Sequence, residues 1–217
     1  MLAGKSLIFV HHPRTAGTSV RNLLMRAVPD NYFPMQDPNL SQEQKVWITH
    51  QGLGVCYDYC HRIGINPIKV PTLVCIRNPY SLMLSEYMYL SQKWKKKIKD
   101  LEKTLGAYLA NMYRKSSDER KQKWAADTYG RFHDFITING QIPENLTIAR
   151  FETLEEDVRN FLQNRLEIAD VPKLPRKNAS RHGDVKNYYT DKEEKLVYAM
   201  FKNVFESGLY KRYEGLE

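Results

Sequence analysis

No stretch of this chain approaches the roughly 20 consecutive apolar residues that a membrane-spanning helix needs. The apolar run at 7–10 is too short for a secretory leader and runs straight into His, Pro and Arg. Both absences lead to the expectation of a cytoplasmic protein without a membrane span. Cysteine is scarce. Cys56, Cys60 and Cys75 make an odd count that builds no disulfide framework, which points to a reducing compartment. Cys56 and Cys60 stand four apart on a predicted helix, yet no second ligand pair accompanies them. They read as small, partly buried residues and not as a metal site. Internal repeats are missing as well. So is the pattern G-x-x-x-x-G-K-[ST], the lysine-bearing loop of kinases and NTPases.

What is present is positive charge. The 33 Lys and Arg residues outnumber the 25 Asp and Glu residues, a net charge of +8 that favours anionic partners of some kind. A length of 217 residues suits one domain, 1–217, with one substantial core.

Short apolar runs alternate with helical periods, the pattern of an α/β fold around a largely parallel sheet covered by helices on both faces. Strands are predicted at 6–11, 46–49, 72–76 and 146–150, and helices at about 17–28, 53–63, 79–93 and 153–165. The stretch at about 93–140 is charged, contains "KWKKKIKDLEK", and spaces Trp94, Ile98, Leu101 and Leu105 as one helix face. It reads as a helical insertion, its lysines as a solvated face. Residues 169–188 hold two prolines with many basic and small residues and read as a long loop. From 190 to about 207, Leu196, Val197, Met200, Phe201, Val204 and Phe205 define a single amphipathic helix.

The stretch "KSLIFVHHPRTAGTSVRNLLMRAV" carries the first chemical signal. A buried strand leads into a turn of small hydroxyl residues and then into a helix. The helix start aims unsatisfied N–H groups and its positive dipole end at whatever occupies the turn, so an anion fits there. Arg14 adds a permanent charge with forked donors. Helix capping alone would need one hydroxyl. Thr15, Thr18 and Ser19, with Gly17 and Arg14, exceed that need within six positions.

The second signal is "TLVCIRNPYSLMLSEY". Arg77 stands at the carboxyl tip of the predicted strand 72–76, Pro79 starts the next helix, and Ser85 lies two turns into it, one turn after Ser81. Arg77 and Ser85 are expected to face one crevice above the sheet, where open α/β sheets bind ligands. Two anion sites at strand tips suggest a ligand with phosphates at two separate points.

These residues resemble sulfotransferases that use 3′-phosphoadenosine 5′-phosphosulfate. That family's 5′-phosphosulfate loop commonly reads P-K-T-A-G-T-S after a strand, and "PRTAGTS" stands at 13–19 here. Its 3′-phosphate motif is a strand-end arginine with proline two later and serine eight later, matched by Arg77, Pro79 and Ser85. "LTIARFETLEEDVRNFL" resembles the strand and acidic turn found downstream in many members, and "NASRHGDVKNYYTDKEEKLVYAMFKNVFESGLYKRY" resembles the C-terminal part of the branch containing many carbohydrate sulfotransferases. The resemblance implies a three-layer, P-loop-like fold with a mostly parallel sheet and a helical insertion. It implies transfer of a sulfuryl group to a hydroxyl on a carbohydrate, a lipid or a small molecule. Arg14, Thr15, Gly17, Thr18 and Ser19 would hold the 5′ end of the donor, and Arg77 and Ser85 its 3′-phosphate. Asn178, Ser180, Arg181 and either Tyr188 or Tyr189 would fold over the nucleotide; a loop of solvated charges is the other reading of that stretch. Where the family has lysine this chain has Arg14, which keeps the charge at the leaving phosphate but cannot donate its proton. Cationic groups supply the charge, so no metal is expected.

The acceptor hydroxyl needs a base, and imidazole suits that task near neutral pH. His50, predicted to end the second strand, is the choice, in line with the family branch. His11 and His12 are the rivals, and strand alternation allows only one of them to face the site. Tyr87, Tyr89, Trp94, Tyr108 and Trp124 are candidates for an acceptor site or for core. Two other classes compete. A kinase or NTPase would want an acidic Mg²⁺ ligand at a strand end, where this chain has His50 and Arg77. A non-catalytic nucleotide- or polyanion-binding protein would rest on the lysine run and net charge, without any nucleic-acid-binding module.

Overall fold

The computed structural model describes residues 1–28, 31–32, 37–93, 104–117, 132–175 and 183–215. They fall into two compact units: Met1–Arg77 with His133–Asn178, and Asn78–Phe132 with Ala179–Glu217. The helices in chain order begin with α1 (Gly17–Ala27), α2 (Gln42–Thr49), α3 (Leu53–Arg62), α4 (Pro79–Lys93) and α5 (Leu105–Ser117). They continue with α6 (Phe132–Ile136), α7 (Leu154–Leu166), α8 (Asp191–Met200) and α9 (Lys202–Glu206).

The first unit is α/β. Strands β1 (Leu2–Gly4), β2 (Ile8–Val10), β3 (Asn31–Tyr32), β4 (Thr72–Ile76) and β5 (Leu146–Arg150) form one mixed sheet in the order β3-β1-β2-β4-β5. The sheet is mostly parallel. Three positions of β2 pair with β4 and five of β4 pair with β5, all parallel, against two at each antiparallel junction of β1. All five residues of β4 are buried, as expected of a strand covered on both faces. On one face Leu2, Phe9, Leu73, Cys75 and Ala149 pack against Val20, Leu23 and Leu24 of α1 and Val158, Phe161 and Leu162 of α7. Each Val, Leu or Phe among them stabilises the unit by about 1.5–3 kcal/mol. On the other face the Tyr57 hydroxyl of α3 lies 3.2 Å from Thr72 Oγ1 and donates to Asn145 Oδ1 at 3.1 Å. Asn145 in turn donates to the carbonyls of Pro67 (2.9 Å) and Val70 (2.6 Å), tying the approach to β5 to the approach to β4.

The strands predicted at 72–76 and 146–150 form as expected, and α1, α3, α4 and α7 stand within a residue or so of their predicted ranges. The strand predicted at 46–49 does not form. Ser41 and Gln44 make a reciprocal capping box, with Gln44 N–H donating to Ser41 Oγ and Ser41 N–H to Gln44 Oε1, and α2 runs through that stretch. The strand predicted at 6–11 shortens to Ile8–Val10, because the chain first makes β1 and doubles back. The predicted helix from 190 to about 207 is two helices. Phe201, with φ −117° and ψ 26°, leaves helical geometry between α8 and α9.

The second unit is helical, built from α4, α5, α8, α9 and the tail to residue 215. Its centre is Tyr80, which is fully buried and donates to Glu194 Oε1 at 2.5 Å. Arg212 grips the same carboxylate with two donors, at 2.9 and 2.8 Å, and lies 3.8 Å above the Tyr198 ring. Burial alone would raise the Glu194 carboxyl, but the hydrogen bonds from Arg212 and Tyr80 bring it below its ordinary value. Tyr213 stacks on Tyr80 with centroids 4.2 Å apart, and Tyr189 donates to the Tyr80 carbonyl at 2.7 Å. Tyr108 is buried in the same unit with Tyr87 5.7 Å away, so both are packed residues. Of the predicted insertion, α5 and part of α6 fall in this unit. The lysine run at 94–103, with Trp94, and Trp124 lie outside the described residues.

Candidate functional site

Between β2 and α1 the backbone adopts an unusual path. Arg14 (φ 62°) and Ala16 (φ 59°) both take the left-handed conformation, while Thr15 between them does not. For residues with a side chain this costs about 1–2 kcal/mol each. Three contacts hold it in place. The Thr15 hydroxyl donates to the His12 carbonyl at 2.8 Å, the Ser19 N–H to the Ala16 carbonyl at 2.8 Å, and Arg77 to the Arg14 carbonyl at 3.1 Å. Left-handed residues on either side of Thr15 fold the chain sharply just before the helix, and turns of this kind are among those that make anion-binding concavities. Helix α1 then starts with no side-chain cap and no acidic residue in its first turn. Its positive end is therefore not neutralised from within the helix.

The predicted loop residues take distinct parts. Thr15 is buried and its hydroxyl proton goes to His12, so toward a ligand it offers backbone rather than side chain. Ser19 is buried and Thr18 half-buried. Gly17 is required for a reason the sequence does not announce: a Cβ there would lie 2.0 Å from His11 Cδ2 and 2.2 Å from His11 Nε2. The glycine makes room for an imidazole.

Arg77, at the tip of β4, is only 4 % exposed. Its guanidinium lies 3.9 Å above the Phe151 ring, just beyond the end of β5, while Nη1 reaches the Arg14 carbonyl. Phe151 is a site residue that motif reasoning missed; its only signal is an aromatic placed directly after the strand in "ARFET". Ser85 (4 % exposed) and Ser81 are buried on α4 in the second unit, whereas Arg77 closes the first segment of the first unit. Asn178, Ser180 and Arg181, with His182, lie outside the described residues.

His50 ends helix α2 rather than a strand, and that helix brings it to the loop. Its Nδ1 lies 3.3 Å from the His11 carbonyl, and the two rings meet edge to face at 4.5 Å. A carbonyl only accepts, so Nδ1 carries the proton and Nε2 keeps its lone pair. Desolvation lowers the His50 pKa, and the bond to the His11 carbonyl partly offsets that. Although its ring is partly enclosed in this way, the residue as a whole remains exposed. The rivals are enclosed. Burial pushes His11 well below its ordinary value and His12 down to about 3. His12 stands edge-on to Phe135 of α6 at 4.4 Å, while His11 faces His50.

The three cysteines are buried free thiols, and burial pushes Cys56 and Cys60 up to about 12. Among the described residues no three His, Cys, Asp or Glu side chains gather as a metal site. No helix there is long and apolar enough to cross a membrane. Compared with known protein families, curated protein sequences and solved structures, the chain has no significant match.

Proposed function

We propose that this chain is a sulfotransferase of a P-loop-like fold, using 3′-phosphoadenosine 5′-phosphosulfate as donor and a hydroxyl of a carbohydrate, lipid or small molecule as acceptor. One observation carries the reading: a turn with two left-handed residues at a helix start without a side-chain cap has an exposed neutral imidazole, His50, beside it within the same unit. The fit of a phosphosulfate rests on that turn, where the start of α1 and Arg14 offer positive charge without a carboxylate in the helix's first turn.

When bound, the nucleotide supplies an activated sulfuryl group, and its departure leaves negative charge on a phosphate oxygen. The chain's part is positioning and electrostatics. The first N–H groups of α1 and the guanidinium of Arg14 stabilise charge at the 5′ end. Thr15, Gly17, Thr18 and Ser19 shape that end. Arg77 would hold the 3′-phosphate from the first unit, and it also fastens the loop through the Arg14 carbonyl; a part for Ser85, Asn178, Ser180 and Arg181 rests on the family resemblance alone. His50 takes the acceptor proton at Nε2, since Nδ1 is engaged with His11.

A thermal-shift comparison tests the reading. Adenosine 3′,5′-bisphosphate at 100 times its Kd should stabilise the protein by about 2.7 kcal/mol, roughly 5–10 °C in Tm for a chain of this size. ATP with Mg²⁺ should do much less. An equal or larger shift with ATP and Mg²⁺ would replace this reading with a kinase-like one.

A further inference from the structure

We propose that His11 is a positioning residue: its carbonyl on His50 Nδ1, and its ring wedged where Gly17 has no side chain, together hold His50 as the tautomer with its lone pair on Nε2. The start of helix α1, the His11 ring and the base thus form one mechanical chain. The catalytic meaning rests on His50 being the base; the arrangement itself does not.

The ring of His11 is fixed on every side the structure shows. Phe9 stacks on it at 5.9 Å, the His50 ring meets it at 4.5 Å in an edge-to-face contact, and Gly17 lies against its Cδ2–Nε2 edge. Only 6 % of the residue is exposed, and Nδ1 is enclosed without a hydrogen-bond partner among the described residues. Burial first, and then His50, Arg21 and His12 around it, oppose a proton on the ring, so it acts here as a neutral flat shape. A phenyl ring is likewise flat, though one atom larger, and has no enclosed orphan nitrogen. Shape, and not titration, is what His50 feels.

Nitrogen-15 NMR of the imidazoles in the nucleotide-free protein reads this directly. Wild type and His11→Phe should both show His50 protonated on Nδ1. His11→Ala removes the wedge, so His50 should become a tautomer mixture, with its pKa rising toward 6.5. Gly17→Ala pushes the His11 ring aside and should give the same His50 signature from a residue on another element. The double variant Gly17→Ala/His11→Ala relieves that clash, so it supplies a folded form in which His50 is again released. With a turnover assay, His11→Ala should lose about tenfold in kcat while the nucleotide KM stays within roughly twofold. An unchanged His50 tautomer and titration in His11→Ala and in the double variant would overturn the proposal. Absence of transfer by wild type would instead overturn the sulfotransferase reading and leave the His50 signature standing.

Discussion

Arg77 donates to the carbonyl of Arg14 at 3.1 Å, across 63 positions of sequence, and so ties the tip of β4 to the left-handed turn before α1. A strand-end arginine that holds the loop cannot be only a phosphate ligand. Arg77→Ala should therefore cost about 2–4 kcal/mol of stability, from the lost charged hydrogen bond and the lost stacking on Phe151. It should weaken adenosine 5′-phosphate somewhat and adenosine 3′,5′-bisphosphate far more. Urea unfolding and nucleotide titration check the two halves separately. Equal weakening of both nucleotides would leave Arg77 a purely structural clamp.

Acid should destabilise the first unit early. His11 and His12 are buried and neutral, with pKa values depressed on folding from an ordinary 6.5. Their contribution is complete above pH 6.5, where neither state binds the proton. Below it the unfolded chain takes up protons that the native state refuses, so stability falls with falling pH until the folded pKa is reached, about 3 for His12. Each such histidine contributes a slope of up to about 1.4 kcal/mol per pH unit. Unfolding curves between pH 7 and 5 should show this decline, and His12→Phe should remove about half of the part due to these two residues.

Asn145 should matter for stability and not for ligand. Its amide joins Tyr57, Pro67 and Val70 at the approaches to β4 and β5. Asn145→Ala leaves those partners unpaired in a half-buried place and should cost about 2 kcal/mol. The affinity for adenosine 3′,5′-bisphosphate, measured on the folded variant, should stay unchanged.

Charge at the donor end is assigned to backbone N–H groups and arginines, so chelation should be harmless. Dialysis against EDTA should leave nucleotide affinity and turnover as they were. Restoration by Mg²⁺ after a loss would contradict the assignment.

The legible parts of the fold were those in which one signal acted alone. At 72–76 and 146–150 short apolar runs met no rival pattern, and β4 and β5 form there. At 46–49, Val-Trp-Ile-Thr suggests a buried strand, but the S-x-x-Q box at Ser41–Gln44 starts a helix first and the helix carries through. Strand β1 is three residues long and has no alternation to display. In the loop, density of hydroxyls and Arg14 pointed to an anion, yet what shapes it is backbone handedness at Ala16 and packing of His11 on Gly17. Those depend on contacts that no spacing encodes. His50 reaches the loop as the end of α2, although the apolar run predicted it there as the end of a strand.

Transfer of labelled sulfuryl from 3′-phosphoadenosine 5′-phosphosulfate to a panel of carbohydrate, lipid and small aromatic hydroxyls, run with wild type and His50→Ala, decides the matter most directly. Wild type should label at least one acceptor class. His50→Ala should bind adenosine 3′,5′-bisphosphate as tightly as wild type while turnover falls by about 10²–10⁴-fold. Equal turnover by the two proteins, or no label on any acceptor with wild type, would contradict the assignment of loop and base.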